Sequence, residues 1–270
     1  MEKRQTLRKI ISAAKMIYTK NIMDDAAALT YSTLMAIVPI LAVAFEIARS
    51  LNIEIYLEKW IRSTLRAHPE VANYIFDFVA SYLNHYNRGL FILIAIALAL
   101  YTVITLELQL EQIFNKIWQV GKHDDRKIIS SVTYSLAIFI VIPAFAIIAA
   151  LANILLATFG SYAQDIWLLG WVTKAMLYLA PLFLVWLTFI MLFKLMPSIH
   201  ISLRHIWGPA LIAAIAMQAL QFVYINSQIL LSSYNAIYGS FASLPLFLLW
   251  INLSWSITLV AATFCYENAR

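Results

Sequence analysis

The feature that most constrains this chain is a long stretch without charge. No Asp, Glu, Lys or Arg lies between Arg204 and Glu267, and residues 243–266 are almost entirely apolar. About twenty apolar residues in a helix cross the roughly 30 Å hydrocarbon layer of a bilayer. Soluble domains contain roughly 25% charged residues, whereas this chain is 63% hydrophobic and 12% charged. The stretch therefore predicts a membrane protein.

Five further apolar runs complete the prediction of an all-α, polytopic fold with six transmembrane helices. Strands of a membrane barrel would instead alternate in segments of about ten residues. The predicted spans are 26–48, 89–108, 131–158, 168–194, 206–226 and 243–266.

Two predicted segments lie outside the bilayer. In residues 1–25, Leu7, Ile10, Ile11, Ala14, Ile17 and Tyr18 recur at helical spacing among basic residues, which predicts an amphipathic helix on the cytoplasmic membrane surface. Residues 49–88 contain two amphipathic stretches separated by Pro69 and predict an external helical hairpin. The predicted domains are the N-terminal helix, 1–25, and a six-helix transmembrane domain, 26–270.

Charge distribution predicts the orientation. Most of the 19 Lys and Arg residues lie in the termini and in the links after spans 2 and 4, while the links at 159–167 and 227–242 contain none. Positive residues concentrate on the cytoplasmic side of membrane proteins, so both termini are predicted to be cytoplasmic. The same distribution accounts for the net charge of +5 without a nucleic-acid partner.

Polar residues inside the spans are the candidate functional positions. On span 6, Asn252, Ser256, Thr263 and Glu267 fall on one helical face. On span 1, a second stripe repeats every seven residues and contains Asp25, Ser32, Pro39 and Glu46. Polar stripes in membrane helices face partner helices or a wet cavity.

The carboxyl groups allow two interpretations each. Glu46 is either an interfacial carboxylate, which we favour, or a proton or cation site. Glu107 and Glu111 are four residues apart, so they either share a cation or proton or mark a helix emerging among headgroups, which we favour. We predict no catalytic, cofactor-binding or metal-binding residues, because clustered metal ligands and nucleophile motifs are not found.

Three groups of residues resemble the YihY/BrkB family of bacterial inner-membrane proteins, once labelled ribonuclease BN. They are the segment Asp25–Pro39, the sequence Phe114–Trp118, and the set Tyr234, Tyr238, Gly239, Pro245 and Trp250. The resemblance implies six spans and the bacterial cytoplasmic membrane. The family tends to carry Gly-Ala-Glu late in its last span, where this chain has Ala261, Ala262 and Thr263.

The favoured function is a transporter or flippase for a lipid-like or amphipathic envelope component, working among membrane lipids and without enzyme activity. We predict a cavity between spans 1 and 6, lined by Ser32, Pro39, Asn252 and Ser256, with Tyr234 and Tyr238 at its outer mouth. The five carboxylates Asp25, Glu46, Glu107, Glu111 and Glu267 are candidate members of a charged gate.

Two other functions compete with transport. A non-transporting scaffold in envelope assembly would bind an envelope partner, or another copy of the chain, through the hairpin at 49–88. An enzyme that acts on membrane lipids is less favoured, and ribonuclease activity least, because phosphodiester cleavage needs clustered carboxylates or histidines.

Overall fold

Every regular element that the structure describes is an α-helix, which confirms the all-helical prediction for those residues. The computed structural model describes residues 2–50, 88–120, 167–199, 201–232 and 236–270, with isolated positions between 55 and 77. In chain order the helices are α1 (Glu2–Thr19), α2 (Ile22–Ser50), α3 (Arg88–Trp118), α4 (Trp167–Leu195), α5 (Leu203–Ser232) and α6 (Ala236–Ala269).

Three segments of these helices are long and apolar enough to cross a membrane: Ile96–Trp118, Leu203–Ser227 and Pro245–Ala269. A shorter apolar stretch, Leu179–Leu195, lies in α4. At 1.5 Å per residue, about 23 residues reach roughly 35 Å, which exceeds the hydrocarbon thickness. The predicted span 131–158 lies outside the described residues, so the count of six spans stays a prediction.

Prolines lie inside four of these helices rather than at their ends. They are Pro39 in α2, Pro181 in α4, Pro209 in α5 and Pro245 in α6. Proline has no N–H and removes one intrahelical hydrogen bond. Membrane helices tolerate this loss because neighbouring helices and hydroxyl side chains satisfy the freed carbonyl.

The turns after α1 and α3 both use a residue in the left-handed region. Asn21, with φ of 52°, turns the chain from α1 into α2, and asparagine is among the residues that tolerate this conformation. Gln119, with φ of 53°, ends α3. There the Val120 N–H donates to the Asn115 carbonyl at 3.0 Å, which is the six-to-one bond of a Schellman motif.

The chain divides into two compact units that do not follow its linear order. The first unit contains Met1–Met23, Leu110–Ala219 and Ser256–Arg270, and the second contains Asp24–Gln109 and Leu220–Trp255. Helices α2, α3, α5 and α6 each contribute residues to both units.

The core of the first unit is built from aromatic and aliphatic side chains of α3, α4, α5 and α6. Phe114 and Phe193 are fully buried, with ring centroids 6.2 Å apart. At the start of α5, Trp186 Nε1 donates to the Trp207 carbonyl at 3.1 Å. Trp118 meets the ring of Tyr266 edge-on, with centroids 5.7 Å apart.

The second unit contains an aromatic stack between α5 and α6 and a contact around Arg62. Trp250 stacks on Tyr224, with centroids 5.2 Å apart. Arg62 donates to Glu58 at 2.8 Å and to Asn73 at 2.9 Å, and its guanidinium lies 4.6 Å from the Phe76 ring centroid. Arg62 thus contacts residues beyond Pro69, and the external hairpin itself stays a prediction.

Candidate functional site

A layer of polar side chains joins α2 to α6 in the second unit. Asn252 Nδ2 donates to Thr30 Oγ1 at 3.3 Å, and Trp255 Nε1 donates to Thr33 Oγ1 at 3.0 Å. The two donors are three residues apart on α6 and the two acceptors are three apart on α2, so each pair lies on one helical face. We call Thr30, Thr33, Asn252 and Trp255 the polar seam.

The threonines accept from α6 because their hydroxyl protons are already used. Thr30 Oγ1 donates to the Ala26 carbonyl and Thr33 Oγ1 donates to the Leu29 carbonyl, each at 2.7 Å. Threonine in a helix commonly donates to the carbonyl four residues earlier. The oxygen lone pairs therefore remain for donors from another helix, which an amide and an indole N–H supply.

A second polar contact joins α2 to α3. Ser32 Oγ donates to Gln109 Oε1 at 2.6 Å. At about 100° per residue, Ser32 lies roughly 160° around α2 from Thr30. Helix α2 therefore presents hydroxyl groups in two directions, one toward α6 and one toward α3.

The described part of the predicted cavity lining is half-buried: Ser32, Pro39, Asn252 and Ser256. Ser32 contacts α3 and Asn252 contacts α2, as given above. Tyr234 lies outside the described residues. Tyr238 belongs to α6, but its side chain also lies outside them. The shared cavity of spans 1 and 6 stays a prediction.

The candidate gate carboxylates fall in different environments. Asp25 is half-buried in the first turn of α2, and Glu107 and Glu267 are buried. Half-buried Glu111 accepts a hydrogen bond from Ser198. The side chain of Glu46 lies outside the described residues. A gating role for these groups stays a prediction.

Asn115 and Glu111 hold the segment that links α4 to α5. Asn115 Nδ2 donates to Ser198 Oγ at 2.9 Å, and Asn115 Oδ1 accepts from the Ser198 N–H at 2.9 Å. Ser198 Oγ in turn donates to Glu111 Oε1 at 3.1 Å. Asn115 and Glu111 are four residues apart, so one face of α3 makes all three bonds.

Helix α1 is attached to the C-terminal end of α6. Ser12 Oγ donates to Glu267 Oε1 at 2.8 Å, and Lys9 Nζ donates to Asn268 Oδ1 at 3.2 Å. Ala13 is fully buried and Met16 is 7% exposed. Polar bonds and apolar packing therefore act together to hold α1 in place.

Lys20, in the turn between α1 and α2, caps the C-terminal end of α3. Lys20 Nζ donates to the Lys116 carbonyl at 2.6 Å, where a cation complements the negative end of the helix dipole. Partial burial and the positive charge of Lys116 lower the pKa of Lys20 below its ordinary value.

The described residues lack the ligand sets that metal ions require. No set of three or more His, Cys, Asp or Glu side chains there could hold a metal ion. Cys265 is buried and unpaired by any disulfide in the described chain.

Sequence reasoning did not select Thr30, Thr33 or Trp255 in the seam, nor Asn115 and Ser198 at the ends of the helices. The stripe that repeats every seven residues on span 1 contains Ser32, and Thr30 and Thr33 do not belong to it. Two threonines one turn apart in an apolar helix are a usable signal, because each exposes a lone pair within the membrane.

Comparison with known proteins identifies similar chains. A family model described as virulence factor BrkB matches residues 13–270. A UPF0761 membrane protein of Mannheimia succiniciproducens is 30% identical over 253 residues, which cover 91% of this chain and 84% of the relative. A UPF0761 membrane protein of Actinobacillus pleuropneumoniae is 30% identical over 249 residues, covering 88% and 85% respectively. No solved structure matches the chain.

Other relatives are longer than this chain. A UPF0761 membrane protein of Chromohalobacter salexigens is 28% identical over 242 residues, which cover 89% of this chain and 58% of the relative. The chain thus spans less than two thirds of that relative's length. The names of these relatives identify membrane proteins and state no reaction.

Proposed function

The chain belongs to the family described as virulence factor BrkB, and we propose that it is a transporter or flippase. Its substrate is a lipid-like or amphipathic component of the bacterial envelope. The observation that carries the proposal is the polar seam, where Asn252 and Trp255 donate to threonines of α2. The charge distribution supports a location in the inner membrane with both termini cytoplasmic.

The seam is weak enough to open. The hydrogen bonds from Asn252 and Trp255 across the seam join neutral groups, and such bonds in membrane proteins contribute about 1 kcal/mol or less. A polar headgroup that enters between α2 and α6 can take over these donors and acceptors. The cost of parting the helices is then offset by new bonds to the substrate.

The surface beside the seam suits an apolar chain. Leu249 and Leu253 lie about 60° and 100° to one side of Asn252 around α6 and are 52% and 39% exposed. A substrate whose headgroup occupies the seam can therefore leave its hydrocarbon tail among lipids. Because the four seam residues are neutral, the proposal does not place a proton or sodium site there.

The test is a reversible crosslink across the seam. Thr30→Cys and Asn252→Cys are combined in a Cys265→Ala background, and the protein is reconstituted into liposomes that contain a fluorescent phospholipid in both leaflets. Fatty-acid-free albumin extracts a short-chain fluorescent phospholipid only from the outer leaflet and does not reduce a disulfide, so additional extraction reports transbilayer movement. The Cys265→Ala protein should move the lipid faster than protein-free liposomes do. The reduced double variant keeps the Trp255–Thr33 pair and should move the lipid more slowly than that protein, and the oxidised double variant should not move it.

The reduced double variant and the two single-cysteine variants are the matched controls. Reduction of the crosslinked sample should restore movement, which separates closure of the seam from damage by oxidation. Equal movement by the oxidised and reduced forms would show that α2 and α6 need not part, and the proposal would fail.

A non-transporting scaffold in envelope assembly is the second candidate. The direct hydrogen bonds across the seam are equally compatible with it, because static helix contacts use the same bonds. A scaffold would bind an envelope partner or another copy of the chain through residues 49–88. It predicts that the crosslinked and reduced proteins capture that partner equally well, whereas a transporter predicts loss of lipid movement on oxidation.

A further inference from the structure

Helix α1 has an inner face that docks onto the protein. Ser12, Ala13 and Met16 lie within about 100° of one another around the helix. Ser12 bonds to Glu267, and Ala13 and Met16 are buried. These contacts fix which way the opposite side of α1 points.

The outward face is apolar and exposed. Ile10 is 48% exposed, Ile11 59% and Tyr18 84%. Together with exposed Ala14 they occupy an arc of about 100° on the side of α1 that does not dock. We call Ile10, Ile11, Ala14 and Tyr18 the outer arc. Single exposed apolar residues are ordinary, but a contiguous apolar stripe indicates a binding surface.

A basic edge runs along one side of the outer arc. Arg8 and Lys15 are exposed and lie within about 60° of Ile11 around the helix. An apolar face bordered by Arg and Lys is typical of helices that lie in the membrane interface. Their cationic groups attract anionic lipid headgroups while the apolar side chains enter the headgroup boundary.

The contacts of α1 with the end of α6 also favour a position for α1 at the level of the lipid headgroups. Ser12 and Lys9 bond to Glu267 and Asn268, which lie at the end of the candidate span Pro245–Ala269. That end is where α6 leaves the hydrocarbon layer and meets the headgroups. Tyrosine, which is the most exposed member of the outer arc, is enriched at this level in membrane proteins.

We propose that the outer arc and basic edge of α1 bind the anionic headgroup layer of the membrane that the chain itself crosses. Helix α1 then lies between the end of α6 on one side and lipid phosphates on the other. The partner is a lipid surface with negative charge, and Arg8 and Lys15 supply the selectivity. This inference rests on membership of a membrane-protein family and not on the proposed transport.

The experiment measures how deep α1 lies in the full-length protein. Tyr18→Cys in a Cys265→Ala background is labelled with an environment-sensitive fluorophore. The protein is placed in nanodiscs of pure phosphatidylcholine or of an equimolar mixture with phosphatidylglycerol. Iodide quenches a label in water, and nitroxide near the lipid headgroup quenches a label in the interface. We expect the Tyr18→Cys label to be quenched by nitroxide and shielded from iodide, more strongly with phosphatidylglycerol.

Three further variants test whether the quenching depends on helix face and on charge. Thr19→Cys is the comparison variant, because Thr19 is exposed and lies about 100° around the helix from Tyr18, beside the basic edge. Its label should be quenched by iodide more strongly than the label at position 18. Arg8→Gln and Lys15→Gln should each lower the ratio of membrane-bound to free label about fivefold in anionic nanodiscs. They should leave the ratio unchanged in phosphatidylcholine.

The proposal is overturned if iodide reaches the labels at positions 18 and 19 equally in both lipids. It is also overturned if phosphatidylglycerol and the two glutamine variants have no effect on nitroxide quenching. Energy transfer between labels on separate copies within one nanodisc would identify a second copy of this chain as the occupant instead. Equal lipid movement by the oxidised and reduced forms in the crosslinking experiment leaves this measurement unaffected, so the two proposals fail separately.

Discussion

Replacing Asn115 with alanine should destabilise the first unit by removing two hydrogen bonds to one residue. Asn115 donates to Ser198 Oγ and accepts from the Ser198 N–H. A neutral hydrogen bond contributes about 1 kcal/mol, so Asn115→Ala should lower the free energy of unfolding by about 2 kcal/mol. Asn115 and Ser198 are half-buried, so the expected loss of unfolding free energy stays at about 2 kcal/mol.

The same network predicts a measurable coupling. Ser198→Ala removes the bond from Asn115 and the bond to the Glu111 carboxylate, which as a charge-assisted bond contributes somewhat more than a neutral one. The expected loss is roughly 2.5 kcal/mol. Because the Asn115–Ser198 side-chain bond is lost in both single variants, the double variant should fall short of additivity by about 1 kcal/mol.

The assay is unfolding of the purified protein in mixed micelles by increasing dodecyl sulfate, followed by tryptophan fluorescence. Asn226→Ala is the matched control, because Asn226 is exposed and donates to the Phe222 carbonyl of its own helix. That change should remain within about 0.5 kcal/mol. Additive losses in the double variant, or an Asn115→Ala loss no larger than the control's, would refute the reasoning.

Three further predictions concern the ends of helices and the buried thiol. Glu267→Gln should cost less than Glu267→Ala, by about 1 kcal/mol in unfolding free energy, because the amide oxygen can still accept from Ser12. Burial and Lys116 lower the pKa of Lys20 in the folded state, so the unfolded chain binds this proton more tightly. Stability should therefore rise with pH between the lowered pKa and 10.5, and Lys20→Gln should flatten that rise in unfolding midpoints measured across the alkaline range. Cys265 is fully buried, so a maleimide should label it only after unfolding in dodecyl sulfate, and rapid labelling of the native protein would contradict its burial.

The helices are predictable from the sequence, while their ends are less so. Helix α4, Trp167–Leu195, agrees closely with the predicted span 168–194. Helix α6 begins at Ala236 rather than at 243, and it continues through Pro245. Apolar composition marks the hydrocarbon layer, whereas a helix continues into the headgroups wherever its backbone bonds are satisfied. A single proline removes only one such bond, so it does not have to end the helix.

The polar seam was half predictable. The spacing of polar residues on span 6 selected Asn252, but its acceptor is Thr30 rather than a member of the heptad stripe on span 1. Which hydroxyl meets the amide depends on the depth and rotation of α2 against α6. Periodicity describes one helix at a time, so it predicts neither the relative depth nor the relative rotation of two helices. The threonine lone pairs become visible only when the bonds to Ala26 and Leu29 are known.

By itself the sequence determined that this chain is helical and enters a membrane, because long uncharged apolar runs leave the backbone no other way to satisfy its polar groups. It also marked α1 as amphipathic. Only the tertiary structure decided that the predicted apolar face of α1 points outward and that Ala13 and Met16 pack inside. The physical reason is that hydrophobic periodicity only separates the apolar face of a helix from its polar face. It does not show which face fits a neighbouring helix. Docking selects the face whose small side chains and hydrogen bonds fit the neighbour, here Ala13 beside the Ser12–Glu267 bond.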